Sequence, residues 1–160
     1  MSAALAAMRE QIAVILAGVS GIGAVHSYTR LAVDWQKMVD LFKDADGRIN
    51  AVMFARQQMA KRSATLGTLE RAHVFVVRAV MGLRDAEATG VVFDELMTAI
   101  EEAFDDHLDL NGTCLTTRPD WGPMADQAGM QIALIEERMF GSVLCHYAEL
   151  RLCALEYDET

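Results

Sequence analysis

Residues 71–81 read RAHVFVVRAVM. A run this rich in β-branched and aromatic side chains predicts a strand. Both of its alternating sets, Val74/Val76/Val80 and Phe75/Val77/Ala79, are apolar. Such a strand needs cover on both faces, here expected from a helix on one side and a neighbouring subunit on the other. The helix follows directly in the chain. Between Asp85 and Leu108, the residues Val92, Leu96, Ala99, Ile100, Ala103, Phe104 and Leu108 recur at helical spacing, with Glu95, Glu101, Glu102, Asp105 and Asp106 elsewhere. Packing of this helix on the strand places Phe75, Val77, Ile100 and Phe104 in one core.

Upstream, residues 2–17 line up Leu5, Met8, Ile12, Ile15, Leu16 and Val19 as the apolar stripe of a first helix. Gly18, Gly21 and Gly23 end it. Residues 24–30 alternate like a short strand, and Val33, Trp35, Met38, Val39 and Phe42 suggest a second, shorter helix. Ile49 to Gln58 reads as another strand. Downstream, Gln131 to Arg138 reads as a strand, and Gly141-Ser142 separates it from a long final one. There Leu144, Ala148, Leu150, Leu152 and Ala154 face one way and Glu149, Arg151 and Tyr157 the other. The order of elements predicts a single α+β domain over residues 1–160, with an antiparallel sheet backed on one face by helices. The opposite face is expected to be free for association.

Two stretches lack apolar periodicity. Residues 56–71 contain the polar, locally basic MAKRSATLGTLE (59–70), too long for a tight turn. Residues 117–130 include PDWGPMADQAGM (119–130). Both are expected to be projecting loops that dock on neighbours, through Arg56, Lys61 and Arg62 in the first and Trp121 and Met124 in the second.

The chain of 160 residues carries 14 basic and 23 acidic side chains, a net charge of −9, which disfavours general adhesion to nucleic acid. Its apolar runs fall short of the ~20 residues that span a bilayer, so a soluble protein without membrane partners is expected. Arg9, Glu10 and Gln11 interrupt the apolar N-terminus as a signal peptide does not tolerate, pointing to synthesis in the cytoplasm. Cys114, Cys145 and Cys153 are odd in number and form no CxxC pair, which argues for buried free thiols.

The motifs that suggest chemistry dissolve on inspection. Gly18-Val-Ser-Gly-Ile-Gly23 has the glycine density of a phosphate loop, yet a helix precedes it and an extended stretch follows, the reverse of what that loop needs. Ser20 lacks the downstream glycine of a nucleophile elbow, because Ile22 stands there. Asp44-Ala-Asp-Gly47 reads as a turn, since a calcium loop needs a glutamate where Ala55 stands. His26, His73, His107 and His146 show no ligand spacing, and Cys145 and His146 are adjacent on a strand and point to opposite faces. The acidic helix face has no partner nucleophile near it. No catalytic, metal or cofactor-binding residue is expected, and no cofactor.

Taken together, the first helix with its ending GVSGIGAVHSYTR, the segment Val33 to Phe42, the strand RAHVFVVRAVMGL leading into the 85–108 helix, and the ending MFGSVLCHYAELRLCALEY form a pattern over residues 3–157. In order and texture it resembles the tail terminator (tail completion) proteins of long-tailed bacteriophages, of the Mu-like and siphophage type. The resemblance implies a non-enzymatic virion protein that assembles as a homohexameric ring in the host cytoplasm. Such a ring caps the head-proximal end of the tail tube, stops its growth and offers the surface for head-tail joining. Its implied partners are itself, the tail tube protein and the head-side connector or stopper protein, with DNA passing through the lumen unbound. The net charge agrees with an acidic lumen. Two alternatives stand beside it: another neck or tail subunit, of head-completion, connector or tube type, and a small-ligand-binding or enzymatic domain using a pocket under the long helix.

Overall fold

The structure is a computed structural model and describes residues 3–28, 40, 42–44, 47–140 and 143–159. Among them run α1 (Ala3–Ala17), β1 (Ala24–His26), β2 (Asn50–Arg62), β3 (Thr68–Gly82), α2 (Thr89–Asp105), β4 (Gln131–Phe140) and β5 (Val143–Glu159). The strands form one sheet in the order β1-β2-β3-β5-β4. Strand β1 is parallel to β2, and every other neighbouring pair is antiparallel. The α+β class is the one expected. The short helix expected around Val33 to Val39 and the break at Gly141-Ser142 lie outside the described residues.

Helix α1 forms where its stripe predicts, with Leu5, Met8, Ile12, Ile15, Leu16 and Val19 all buried. Each such side chain contributes roughly 1.5–3 kcal/mol by leaving water. The glycines after it make a turn into β1. A Cβ on Gly23 would stand 1.8 Å from the Asn50 carbonyl oxygen, so only glycine lets β1 lie against the start of β2.

Helix α2 begins later and ends earlier than the 85–108 span. A single 3-10 turn, Asp85–Glu87, precedes it, and Ala88 enters the helix with a left-handed φ of 52°. Its buried stripe is Thr89, Phe93, Leu96, Met97, Ile100 and Phe104. Val92 and Leu108, expected on that face, are 48% and 37% exposed. The stripe is rotated by about one residue because Phe93 and Met97, larger than the alanines at 99 and 103, take the centre of the contact.

Phe75, Val77, Ile100 and Phe104 do meet, fully buried, in the main core between the helices and the sheet, alongside Val52, Phe54, Leu150 and Leu152. The reverse face of the sheet is also covered, by this chain itself. At one end Phe42, Ile49, Met53, Val80, Cys145 and Tyr147 cluster, and at the other Ala72, Val74, Met124, Cys153 and Leu155. The expectation of a reverse face left open for a neighbour is therefore corrected. Val76, between the clusters, is also buried.

Candidate functional site

The expected loop over 56–71 is strand for most of its length. Strands β2 and β3 stay paired out to Arg62 opposite Glu70, and β3 pairs in turn with β5 as far as Thr68 opposite Glu159. Only residues 63–67 turn. Polar residues on both faces hide the period-two signal here, since the backbone ladder and not apolar burial holds this part of the sheet. The result is a stiff arm, bent at the irregularity between Arg56 and Gln58.

Arg56 Nη1 lies 3.3 Å from Nδ1 of the buried His73, whose Nε2 lies 2.7 Å from Glu156 Oε2. A guanidinium can only donate, so Nδ1 accepts and the imidazole hydrogen sits on Nε2, donated to the carboxylate. Arg62 donates through Nε to Glu70 at 2.8 Å, and its guanidinium lies over the Trp121 ring, 4.5 Å from the centroid. Lys61 is exposed and has no charged or hydrogen-bonding partner among the described residues.

Residues 117–130 are ordered by their own chain and do not project. Leu115 N–H donates to the Leu155 carbonyl at 2.8 Å and Leu155 N–H to Thr116 at 3.0 Å, so the segment extends the sheet beyond the end of β4. Thr117 N–H then donates to Leu108 at 2.7 Å and Gly129 N–H to Thr117 at 3.0 Å. Met124 is 6% exposed and Trp121 packs against the same cluster, on the reverse face of the sheet. The two residues expected to dock on a neighbour thus act as an internal lid. Trp121 Nε1 is sealed with no acceptor among the described residues.

One row of exposed apolar residues lies along the edge strand β4 and the start of β5. Ile132, Ile135, Met139 and Leu144 are 39%, 44%, 56% and 43% exposed. By register all four point to the helix-bearing side, opposite or beside Leu150 and Ala148, at the margin that α1 and α2 leave uncovered. The outer edge of β4 has no strand partner among the described residues. Sequence reading missed this row because Ala133 opposes nothing in the irregularity between Ile132 and Leu134, which breaks the alternation. Glu136 and Glu137 sit within the strand; Glu136 accepts a hydrogen bond from Arg138, and Glu137 has no partner among the described residues.

Apart from Trp121 Nε1, the buried polar side chains of the described residues find partners within the fold. His146 Nε2 lies 2.8 Å from Thr89 Oγ1, and its ring stacks on Phe93 at 5.5 Å. Cys145 points to the other face, in the cluster with Tyr147. Burial pushes Cys145 and Cys153 up to about 11; Cys114, half-buried and close to Asp109, is pushed up to about 12. Glu101 on α2 is shifted upward by burial and by the neighbouring Asp105 and Glu102. A cleft of about 500 Å³ opens between the start of β2 and the N-terminus of α2, lined by Asp44, Arg48, Asn50, Arg84 and Glu87 among others. Arg48 grips Glu87 at 3.0 and 3.2 Å, so the main charges of the cleft pair with each other.

Among the described residues no three metal-binding side chains are grouped, and no helix is long and apolar enough to cross a membrane. No protein-family model matches the chain, and no curated protein matches it.

Proposed function

We propose that this protein is a non-enzymatic assembly subunit that closes the head-proximal end of a phage tail tube as a homo-oligomeric, six-fold ring. The observation that carries the assembly reading is the unpartnered edge strand β4 with its exposed Ile132, Ile135 and Met139, and Leu144 beside Met139 on β5. A long edge with an apolar margin is a hazard that a solitary protein blunts and an assembling one uses. The tail-end role comes from the sequence resemblance. In the ring, acids dominate the outer surface of α2, where Asp94, Glu95, Glu102, Asp105 and Asp106 are exposed. Turned toward a lumen, they repel DNA and let it pass. The tail tube and the head-side connector meet the two rims.

Electron microscopy of the purified protein, alone and mixed with tail tubes, tests the role. Rings seated on one end of each tube are the expected result. A protein that stays monomeric in the presence of tubes, or that binds the vertex of empty heads and ignores tubes, overturns it; the second outcome assigns a head-completion subunit.

A further inference from the structure

The arm formed by β2 and β3 and the free edge of β4 carry opposite charge and sit at opposite ends of one sheet. Only residues 51–53 of β2 pair with β1, so from Phe54 to Arg62 its outer edge has no strand partner among the described residues. That edge bears Arg56, which bonds His73, Arg62, which bonds Glu70, and Lys61, which has no side-chain partner among the described residues, in a chain whose net charge is −9. The free edge of β4 bears Glu136, Glu137 and Arg138; Arg138 bonds Glu136, so Glu137 is the charge there without a side-chain partner among the described residues.

Strand directions are compatible with joining them. Strand β2 is antiparallel to β3, β3 to β5 and β5 to β4, so β4 runs opposite to β2. A neighbouring copy in the same orientation therefore offers its β2 to β4 as an antiparallel partner. The faces agree as well. Lys61, opposite Arg71, shares the helix-bearing side with Glu137, opposite His146; Arg62, opposite Glu70, shares the reverse side with Glu136, opposite Tyr147. A single antiparallel register sets Lys61 opposite Glu137 and Arg62 opposite Glu136 at once. The same register brings Met59 opposite Met139, both of them exposed.

We propose that the subunits join by sheet extension: the arm of one copy adds along β4 of the next, with Lys61 on Glu137, Arg62 on Glu136 and Met59 on Met139. The contact is heterologous, using two different patches, and so generates a ring or a filament where a two-fold contact generates only a dimer. Direct self-pairing of two β4 edges in a register centred on Glu136 and Glu137 is disfavoured because it sets their carboxylates against one another. The arm reaches the C-terminal half of the neighbouring β4, so successive copies step along their strands as well as around the axis. The irregularity at Arg56/Gln58 supplies the bend.

This inference rests on the assembly reading above, and its test separates the two. Lys61 and Glu137 have no partner within their own chain among the described residues, so exchanging them leaves the subunit fold intact. In native mass spectrometry of the full chain, with tail tubes as template where needed, Lys61→Glu alone and Glu137→Lys alone are each expected to weaken the subunit contact about tenfold. That is the scale of turning a cross-strand attraction into a repulsion. The two together restore it to near wild type. A chain carrying Lys61→Cys and Glu137→Cys forms, on oxidation, a ladder of covalent oligomers, while each single cysteine variant forms none. Unchanged assembly in the single charge variants, failure of the exchange to restore it, or a covalent dimer from Glu137→Cys alone overturns sheet extension. If wild type still forms rings in that case, the functional reading stands; if wild type never assembles, both fall.

Discussion

Phe93 and Val92 are neighbours on α2, yet the structure gives them opposite fates, and substituting each by alanine measures the phase of the helix. Phe93 is 1% exposed and stacks on His146, whereas Val92 is 48% exposed. Removing a buried phenyl ring costs about 3–5 kcal/mol, the lost transfer energy plus the cavity left behind. For a domain of this size each kcal/mol lowers Tm by roughly 2–4 °C, so Phe93→Ala is expected to lower it by roughly 6–20 °C. Against a typical stability of about 5–15 kcal/mol, that loss also moves the urea midpoint substantially. Val92→Ala loses only a half-solvated group and shifts Tm by less than about 2 °C. Thermal melts followed by circular dichroism, with urea titrations in parallel, read both values. Equal shifts, or a larger one for Val92, would refute the packing of α2 and return its apolar face to the phase read from the sequence.

Trp121→Ala, which a docking loop would tolerate, is expected to destabilise the isolated subunit by about 2 kcal/mol, since the half-buried indole packs beside Met124 and beneath the Arg62 guanidinium; differential scanning calorimetry checks it, and an unchanged Tm would return residues 117–130 to the role of a free loop. The three thiols are held protonated by burial, so they are expected to resist iodoacetamide at pH 8 in the native protein and to react once it is unfolded, as mass spectrometry would record. Because their folded values lie above the ordinary one near 9, the unfolded chain releases protons first as pH rises; stability from this source is complete below pH 9, is lost between 9 and about 11 or 12, and a Tm that stays flat across that window contradicts the burial.

What the sequence by itself determined is what depends on local pattern. The α1 stripe from Leu5 to Val19, the doubly apolar strand around Val74 to Val80, and the meeting of Phe75 and Val77 with Ile100 and Phe104 follow from periodicity and side-chain type, and each is present in the fold. The glycines from 18 to 23 read as a helix-ending turn from their content alone, whereas the approach of Gly23 to Asn50, which admits no Cβ, is seen only in the fold. The tertiary structure decided what depends on partners remote in the chain. Met59 to Arg62, beyond the strand read from Ile49 to Gln58, carry no strand signal of their own, and they are strand because β3 offers them a ladder and β5 continues it. Residues 117–130 look like a loop for want of periodicity, yet the hydrogen bonds from Thr117 to Leu108 and from Gly129 to Thr117, and the seating of Trp121 and Met124 on Ala72 and Val74, make them a wall of the core. The candidate surface belongs to this second class. Whether Ile135 and Met139 meet water turns on which strand forms the sheet edge and how far the helices reach across it, and that is settled by the order β3-β5-β4, not by any residue within β4.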